Sequence, residues 1–235
     1  MGIVRSAAKT AALRLVPVGL SLAPQVSAGF AREVLGRAID GAGPFRGAAA
    51  QAELRLREAS GDSAIAVSAL IDGHVRVAGL QGFVTNLGGL VTVAVGVPAN
   101  ITGLALLQSH LVAGITHVRG YDLDDQRVRN AILACLLGPE AVPTLVGNGT
   151  LPATPMGLAT SPVHDVELDQ RIAQLVTAEL LGRVGARRVA SSLVRRVPLL
   201  GGGIGAVGDA RSTYRVGRYA EQEFRPRGRI TGPAG

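Results

Sequence analysis

Residues 77–118 read VAGLQGFVTNLGGLVTVAVGVPANITGLALLQSHLVAGITHV, and this stretch decides how the chain folds. It contains 42 residues without a single Asp, Glu, Lys or Arg, and Arg76 and Arg119 bound it on either side. An uncharged segment of this length must be hidden from water, either in a protein core or in lipid. The choice between these two surroundings determines what kind of protein this is.

Pro98 lies in the middle of the stretch and is predicted to divide it into two helical arms, residues 77–97 and 98–118. Each arm has 21 residues. An ideal helix of that length spans roughly 31 Å, about the thickness of a bilayer core. Glycines, asparagines and histidines within the arms are costly against lipid unless they pack on another helix. The sequence therefore favours a buried helical hairpin in a compact domain, and a hairpin that enters or faces a membrane is the alternative.

Small residues recur at every fourth position in both arms, a spacing that allows two helix backbones to approach closely. They are Gly88, Thr92 and Gly96 in the first arm, and Ala105, Ser109 and Ala113 in the second. We predict helix-packing roles for six residues of the hairpin and of a later glycine-rich segment: Gly88, Gly96, Pro98, Gly103, Gly201 and Gly205.

Apolar residues at helical spacing continue on both sides of the hairpin. The predicted fold class is therefore all-α, a multi-helix bundle with a Gly/Ala-rich apolar central hairpin. We predict N-terminal helices within residues 1–60, a helical domain over 61–228 and a disordered tail over 229–235. Residues 138–163 carry five prolines and four glycines, and they are predicted to form a long loop, lid or hinge. With seven aromatic residues and no Trp, the core must be aliphatic.

Capping residues indicate where helices begin. Ser63 is predicted to cap a helix over about residues 64–75, and Asp165 to begin an amphipathic helix. The last helix is predicted over residues 210–224.

The clearest helical pattern is YDLDDQRVRNAILACLLGP, residues 121–139. Asp122 is predicted to cap this helix. Its buried face is predicted to hold Val128, Ala131, Ile132, Cys135 and Leu136, with Arg127, Arg129 and Asn130 on the opposite side.

Positive charge is concentrated near the end of the chain. Residues 183–235 carry eleven Arg and three acidic residues, a net charge of +8, whereas residues 1–182 carry thirteen basic and fourteen acidic residues, a net charge of −1. Such a segment suits anionic partners, because the guanidinium group matches the geometry of phosphate. We predict that seven arginines contact a membrane or a protein partner: Arg187, Arg188, Arg195, Arg196, Arg211, Arg215 and Arg218. A solvated helix face is the alternative interpretation.

The expected partner is an anionic membrane surface or a membrane protein, because an Arg-rich amphipathic helix follows a Gly-rich apolar segment. Nucleic acid is not favoured. The basic helices lack a helix-turn-helix signature, and the aromatic residues are too few for a base-stacking platform.

Motifs of enzymes and cofactor sites are weak in this sequence. Residues 203–208, GIGAVG, match the dinucleotide-binding pattern, but no βαβ unit surrounds them, and helix packing is the better interpretation. His110 and His117 could share a helix face, and we interpret them as a buried hydrogen-bonded pair, because no nearby acid completes a zinc site. Cys135 is the only cysteine, which excludes an intrachain disulfide. We predict no catalytic residue, no cofactor and no metal.

Two segments of the chain resemble signature patterns of the EcsC protein family. Residues 98–129, from the proline through RGYDLDD to the RVR of the following helix, are similar to the family's middle pattern. Residues 197–225, with VPLLG, GAVG and a last helix that ends in Phe-Arg, are similar to its closing pattern. The resemblance covers about residues 60–228. It departs from the family at residues 96–98, GVP, where the family has an acidic residue before Leu-Pro.

The resemblance implies a bacterial protein without an established enzymatic activity. The family takes its name from an operon that also encodes an ABC transporter, which implies work near the membrane and a role as an accessory to transport or secretion. We therefore expect a non-enzymatic helical protein in the cytoplasm, peripheral to or embedded in the inner membrane. The alternative is a small-molecule-binding protein or enzyme with a pocket between the apolar helices, near Asn100 and His110, closed by the Pro-rich loop.

Overall fold

The structure is a computed structural model that describes residues 29–42, 45–87, 93–194 and 198–227. Some of these residues are described by their backbone alone: 42, 45, 81–87, 93–102, 181, 183–194 and 198–206. The described chain is almost entirely helical, which confirms the predicted all-α class.

The elements follow one another as α1 (Phe30–Asp40), β1 (Gly41–Ala42), β2 (Phe45–Arg46), α2 (Ala48–Glu58), α3 (Ser63–Leu87), α4 (Val93–Val118), α5 (Gln126–Leu137), α6 (Ala141–Gly147), α7 (Pro155–Ala159), α8 (Val166–Val194) and α9 (Pro198–Glu223). β1 and β2 form one short antiparallel pair, with Gly41 opposite Arg46. This pair turns the chain from α1 into α2, and the core is built by packing between helices.

The uncharged stretch is divided at a different place from the one predicted. α3 continues to Leu87, so the start of the first arm is the second half of a 25-residue helix. α4 begins at Val93, and Pro98 lies inside it. The prediction that Pro98 separates the two arms is therefore wrong, because α4 runs through the proline. Little more than the first turn of α4 precedes the proline, so its ring interrupts few helical hydrogen bonds.

The start and the end of α3 also differ from the prediction. Asp62, and not Ser63, caps the helix, because its Oδ1 accepts hydrogen bonds from the N–H groups of Ala64 at 2.8 Å and Ile65 at 3.0 Å. The helix extends beyond residue 75 because residues 76–87 contain no proline, and isolated glycines are tolerated within a helix.

The second arm lies at the centre of the bundle. Its small residues are buried along one face of α4: Ala105, Ser109 and Ala113. A Cβ added at Gly114 would lie 3.5 Å from the side chain of Leu70 on α3. On α9, a Cβ added at Gly217 would lie 3.0 Å from both Ile71 and Leu111. Small residues therefore bring α3, α4 and α9 together, and the contact between α3 and α9 is the most extensive between described helices.

α5 is buried on nearly every side rather than on one face. Its buried residues are Val128, Asn130, Ala131, Ile132, Leu133, Ala134, Cys135, Leu136 and Leu137. Asn130 was predicted to lie on the polar side, and that prediction is wrong. The cap is also different, since the side chain of Asp125 accepts a hydrogen bond from the N–H of Arg127 at 2.9 Å. Asp122 instead accepts from the N–H of Asp124 at 2.9 Å, within the preceding turn.

Residues 138–163 do not form one long loop, because they contain α6 and α7. Pro155 occupies the first turn of α7, where the missing N–H costs no helical hydrogen bond, and Thr154 caps that helix. The segment packs on α5 and on the end of α9, where the N–H of Met156 donates to Glu223 Oε2 at 3.1 Å. The proline content predicted a loop because the sequence alone does not distinguish a proline in the first turn of a helix from a proline in a loop.

The two long C-terminal helices agree in part with the prediction. Asp165 caps α8 as predicted, and its Oδ1 accepts from the N–H of Glu167 at 2.9 Å. α9 begins at Pro198 rather than near residue 210, so residues 203–208 are helical. A dinucleotide-binding loop requires a turn between a strand and a helix, and this segment has a different structure.

One helix of the described chain is long and apolar enough to cross a membrane. The stretch is Ser63–Leu80 of α3, and 33% of it is buried inside the fold. α5 and α6 pass the same test only as a pair that is bent by 114°. A core helix of a soluble protein also passes this test, so a single such helix is weak evidence for a membrane span.

Candidate functional site

α9 exposes a row of arginines to solvent. Arg211, Arg215 and Arg218 are all exposed, and spacings of four and three residues place them on one side of the helix. The opposite side is buried in the core: Thr213, Val216, Ala220 and Phe224. Two further exposed residues, Val207 and Tyr214, share the outer side with the arginines. We call this surface, formed by Val207, Arg211, Tyr214, Arg215 and Arg218, the α9 basic face.

Two of these arginines have acidic neighbours. Arg215 Nη2 lies 2.5 Å from Glu140 Oε1, and Arg218 Nη1 lies 2.5 Å from Glu221 Oε2. The side chains of Arg215 and Glu140 are 43% and 83% exposed, so water screens their attraction. Exposed pairs of this kind contribute about 0–1 kcal/mol. An anionic partner can therefore compete for these guanidinium groups.

Apolar side chains interleave with the arginines of the α9 basic face. Val207 is 66% exposed and Tyr214 is 49% exposed. A tyrosine ring has an apolar body and a polar tip, which suits the boundary between a membrane and water. Charge clustering in the sequence identifies the arginines but not these two residues. Their spacing of four and three residues from Arg211 is the signal that could have identified them.

The outer side of α3 also combines apolar and charged residues. Ile65 is 58% exposed and Leu80 is 67% exposed. Asp72 and Arg76, which lie between them along the helix, are exposed as well. This surface is therefore mixed in character rather than apolar throughout.

A buried polar contact between α4 and α9 fixes the rotation of α9 about its axis. Gln108 is 1% exposed, and its Nε2 donates to Ser212 Oγ at 3.1 Å and to Thr213 Oγ1 at 3.4 Å. A buried amide without these partners would cost roughly 1–3 kcal/mol. The contact therefore keeps the core side of α9 inward and the arginines outward.

An aromatic contact holds the end of α9. The ring of Tyr121 packs edge-on against Phe224, with centroids 5.3 Å apart, and the guanidinium carbon of Arg227 lies 4.8 Å from the centroid of Tyr121. The N–H of Arg227 donates to the carbonyl of Arg119 at 2.8 Å. Gly120 permits this approach, since its φ is +86° and an added Cβ would lie 2.9 Å from the carbonyl oxygen of Arg227.

A second polar cluster joins α5 to the start of α8. Asp169 is buried, and its Oδ2 lies 2.9 Å from Nε2 of His164. Asn130 Nδ2 donates to Oδ1 of the same carboxylate at 2.5 Å. Beside it, hydrogen bonds from Arg127 lower the pKa of the Asp125 carboxyl. The contact between Asn130 and Asp169 connects α5 with the first turn of α8.

The predicted pair of His110 and His117 is wrong. Nδ1 of His110 lies 2.9 Å from Nε2 of His74 on α3, and the two rings are stacked with centroids 5.2 Å apart. His117 bonds instead to Glu53 Oε1 on α2 at 2.7 Å. Spacing along α4 could not identify His74, because it belongs to another helix.

The remaining reactive groups do not assemble a recognisable centre in the described chain. No group of three or more His, Cys, Asp or Glu residues among the described ones could hold a metal ion. Cys135 is buried, and burial raises its pKa well above the usual value, which keeps the thiol protonated and unreactive.

Several predicted site residues lie where the structure gives no side chains. Gly88, Arg195 and Arg196 lie outside the described residues. Only the backbone is described for Gly96, Pro98, Arg187, Arg188, Gly201 and Gly205. Gly103 is described and lies partly buried on α4. The packing and contact roles of these residues stay predictions.

The predicted pocket between the apolar arms depended on Asn100 and His110. Asn100 lies among the residues described by backbone alone. Both ring nitrogens of His110 have partners, one on His74 and one on the carbonyl oxygen of Arg46 at 3.0 Å. The ring is therefore engaged in contacts between protein elements.

Comparison with protein-family models, with curated proteins and with solved structures found no match to this chain. The resemblance to the EcsC family thus rests on the sequence patterns alone and stays a prediction.

Proposed function

We propose that this chain is a non-enzymatic helical protein that binds an anionic membrane surface through the α9 basic face. The observation that carries the proposal is the alignment of Arg211, Arg215 and Arg218 with Val207 and Tyr214 on one exposed side of α9. Cationic residues attract lipid phosphates, and an interleaved tyrosine and valine can enter the headgroup region.

The expected strength of binding is modest. Each arginine near an anionic surface contributes about 1 kcal/mol, so three contribute at most about 3 kcal/mol, and the neighbouring Glu140 and Glu221 reduce this sum. Burial of Val207 and Tyr214 adds an apolar contribution of roughly 25 cal/mol for each Å² removed from water. Binding of this strength is reversible and weakens as salt screens the charges.

Peripheral attachment fits the described residues better than a membrane span does. Asp72 and Arg76 are exposed on α3, the helix that is apolar enough to cross a bilayer. Charged side chains on a lipid-facing surface are expensive. We therefore propose that α3 belongs to a fold that lies beside the membrane. For the biological role we keep the one that the EcsC resemblance implies, a cytoplasmic accessory to transport or secretion.

Vesicle flotation tests this proposal directly. Purified protein is mixed with vesicles of phosphatidylglycerol and phosphatidylcholine, or of phosphatidylcholine alone. We expect flotation with the anionic vesicles only, and release when the salt concentration is raised. In cell fractionation, we expect a high-salt wash to move the protein from the membrane fraction to the soluble fraction.

Each contrary outcome has a distinct meaning. Protein that ignores anionic vesicles at low salt would overturn the proposal. Protein that stays in the membrane fraction after a salt wash and an alkaline wash would favour an embedded hairpin instead. A gel shift with nucleic acid but no vesicle binding would assign the α9 basic face to a different partner.

A further inference from the structure

The histidine pair lies at a junction of three elements. His74 belongs to α3, His110 belongs to α4, and the carbonyl of Arg46 belongs to β2. The chain of contacts runs from the Leu70 carbonyl to His74 Nδ1 at 2.7 Å, from His74 Nε2 to His110 Nδ1 at 2.9 Å, and from His110 Nε2 to the Arg46 carbonyl at 3.0 Å. β2 leads directly into α2, so this junction also ties α2 to α3 and α4.

The number of protons on the two rings limits this arrangement. A carbonyl oxygen only accepts, so the outer nitrogens, Nδ1 of His74 and Nε2 of His110, must each carry a hydrogen. The inner contact between the rings needs one further hydrogen, shared between His74 Nε2 and His110 Nδ1. Two neutral rings carry only two hydrogens, so all three contacts are hydrogen bonds only when one of the rings is an imidazolium, and the closed junction holds at most three ring protons.

A fourth proton cannot be accommodated in the closed junction. When both imidazoles are protonated, an N–H on His74 faces an N–H on His110, and two positive rings are stacked against each other. The separation of 2.9 Å between the inner nitrogens is a hydrogen-bond distance and leaves no room for two hydrogens. The rings must separate to bind the fourth proton.

The surroundings also disfavour a second positive charge at the junction. Burial lowers the pKa of His74 to about 4; the Leu70 carbonyl opposes this shift, while His110 and Arg55 on α2 lower the pKa further. Burial likewise lowers the pKa of His110, opposed by the Arg46 carbonyl. Arg55 also pairs with Glu58 at 2.6 Å on the same helix.

Other charged groups belong to the elements packed around the junction. On α3, Asp72 and Arg76 are exposed. The α9 helix contributes a buried carboxyl, Asp209, and the exposed Arg211 and Arg215. The exposed side chain of Arg46 belongs to β2.

His117 and Glu53 form a separate contact between α4 and α2 at 2.7 Å. This contact also joins α2 to α4.

We propose that His74 and His110 form an acid-sensitive junction, closed at neutral pH and opened by binding of the fourth ring proton, which releases β2 and α2 from α3 and α4. This inference is independent of membrane binding. Free imidazoles titrate near pH 6.5, so an opened junction takes up protons that the closed one refuses. Because burial lowers the pKa values of both rings in the closed form, the fourth proton binds the open form more readily than the closed one, and closure weakens as the pH falls below about 6.5.

Hydrogen–deuterium exchange tests the junction. Protection of amides in residues 46–58, corrected for the intrinsic rate at each pH, is measured between pH 7.5 and pH 5 in the wild type, His110→Gln, His74→Gln and His164→Gln. Glutamine can donate to the Arg46 carbonyl and does not titrate. His164 bonds to Asp169, away from the junction, and serves as the matched control.

We expect the opening constant of residues 46–58 to rise in the wild type and in His164→Gln by up to about tenfold per pH unit for each proton taken up. In His110→Gln and His74→Gln, this rise should be absent. Equal pH dependence in all four proteins, or constant protection in the wild type, would overturn the proposal. If both glutamine variants fail to fold, the wild-type rings are titrated by NMR instead. Normal titration of both rings near pH 6.5 without loss of amide protection would overturn the proposal. Loss of protection that coincides with the last protonation step would support the proposal.

Discussion

Asn130 on α5 donates a hydrogen bond of 2.5 Å from its Nδ2 to Oδ1 of Asp169 on α8. The two residues are 5% and 7% exposed, so a carboxylate is buried between two helices. A buried carboxylate requires donors, and Asp169 has one from Asn130 and one from His164. This contact fixes the register of α8 against α5, and α5 lies deep in the core.

Substitution Asn130→Ala removes one of these two donors. We expect a loss of roughly 1.5–3 kcal/mol in the free energy of unfolding, the range for hydrogen bonds to charged groups. Chemical denaturation measures it. Gln126→Ala, an exposed position in the first turn of the same helix, is the matched control and should change stability by less than about 0.5 kcal/mol. Equal effects of the two substitutions would contradict a structural role for the buried contact.

Gly120 and Gly61 separate two costs of adding a side chain, the cost of a positive φ and the cost of a close contact with another residue. Both have a φ of +86°, but an added Cβ meets the carbonyl oxygen of Arg227 at 2.9 Å only at Gly120. We expect Gly61→Ala to cost about 1–2 kcal/mol from the positive φ alone. Gly120→Ala should cost about 1–3 kcal/mol more, because the contact with Arg227 must also rearrange.

A truncated chain that ends at Phe224 serves as the control for this comparison, since it lacks Arg227. In that background, we expect Gly120→Ala and Gly61→Ala to have similar effects in thermal or chemical unfolding. An extra cost at Gly120 that persists after truncation would place its cause elsewhere.

Charge reversal on the α9 basic face tests its role in binding. The double substitution Arg211→Glu and Arg218→Glu should weaken binding to anionic vesicles by at least about tenfold, because two attractive contributions of about 1 kcal/mol each become repulsive. Arg32→Glu with Arg37→Glu, two exposed arginines on α1, makes the same change in net charge elsewhere. Equal loss of binding in both variants would mean that net charge, and not this face, governs attachment.

The cap of α5 predicts a specific dependence on pH. Hydrogen bonds from Arg127 lower the pKa of Asp125, so the ionised form is favoured in the folded chain. The stabilisation from this charge is present above the unfolded pKa of about 4 and is lost as the pH falls through the lower folded value. Asp125→Asn keeps a capping oxygen but removes the charge.

We therefore expect the wild type to exceed Asp125→Asn in stability at pH 7, with the difference constant down to about pH 5 and shrinking below about pH 4. Denaturation curves at several pH values measure this difference. Asp122→Asn, in the exposed turn before the helix, is the control for the general effect of removing a carboxylate. A difference that is independent of pH would show that the charge of Asp125 contributes nothing.

Boundaries of helices were predictable where a local signal acts alone. Asp165 caps α8 as expected, because a carboxylate before a helix accepts from its first N–H groups whatever lies around it. Prolines misled the prediction at two places. Pro98 lies inside α4, and Pro155 begins α7, since a proline near a helix start interrupts few hydrogen bonds or none.

Side-chain partners between helices were not predictable from spacing. His110 was paired with His117 because both lie on α4, whereas its partner His74 comes from α3. Asn130 was placed on a polar face, but α8 covers that side of α5 and supplies Asp169. Periodicity within a helix describes one face at a time and contains no information about which helix will cover another face.

The sequence by itself determined that the chain is helical and that positive charge gathers near its end, and it favoured burial for residues 103–118 of the uncharged stretch, which are largely buried. These properties follow from local periodicity and composition, which act along the chain. Only the tertiary structure decided that Gln108 orients α9 with Arg211, Arg215 and Arg218 outward, and that His74 and His110 meet. These relationships depend on which faces of distant helices pack together, and close packing of whole helices selects that arrangement.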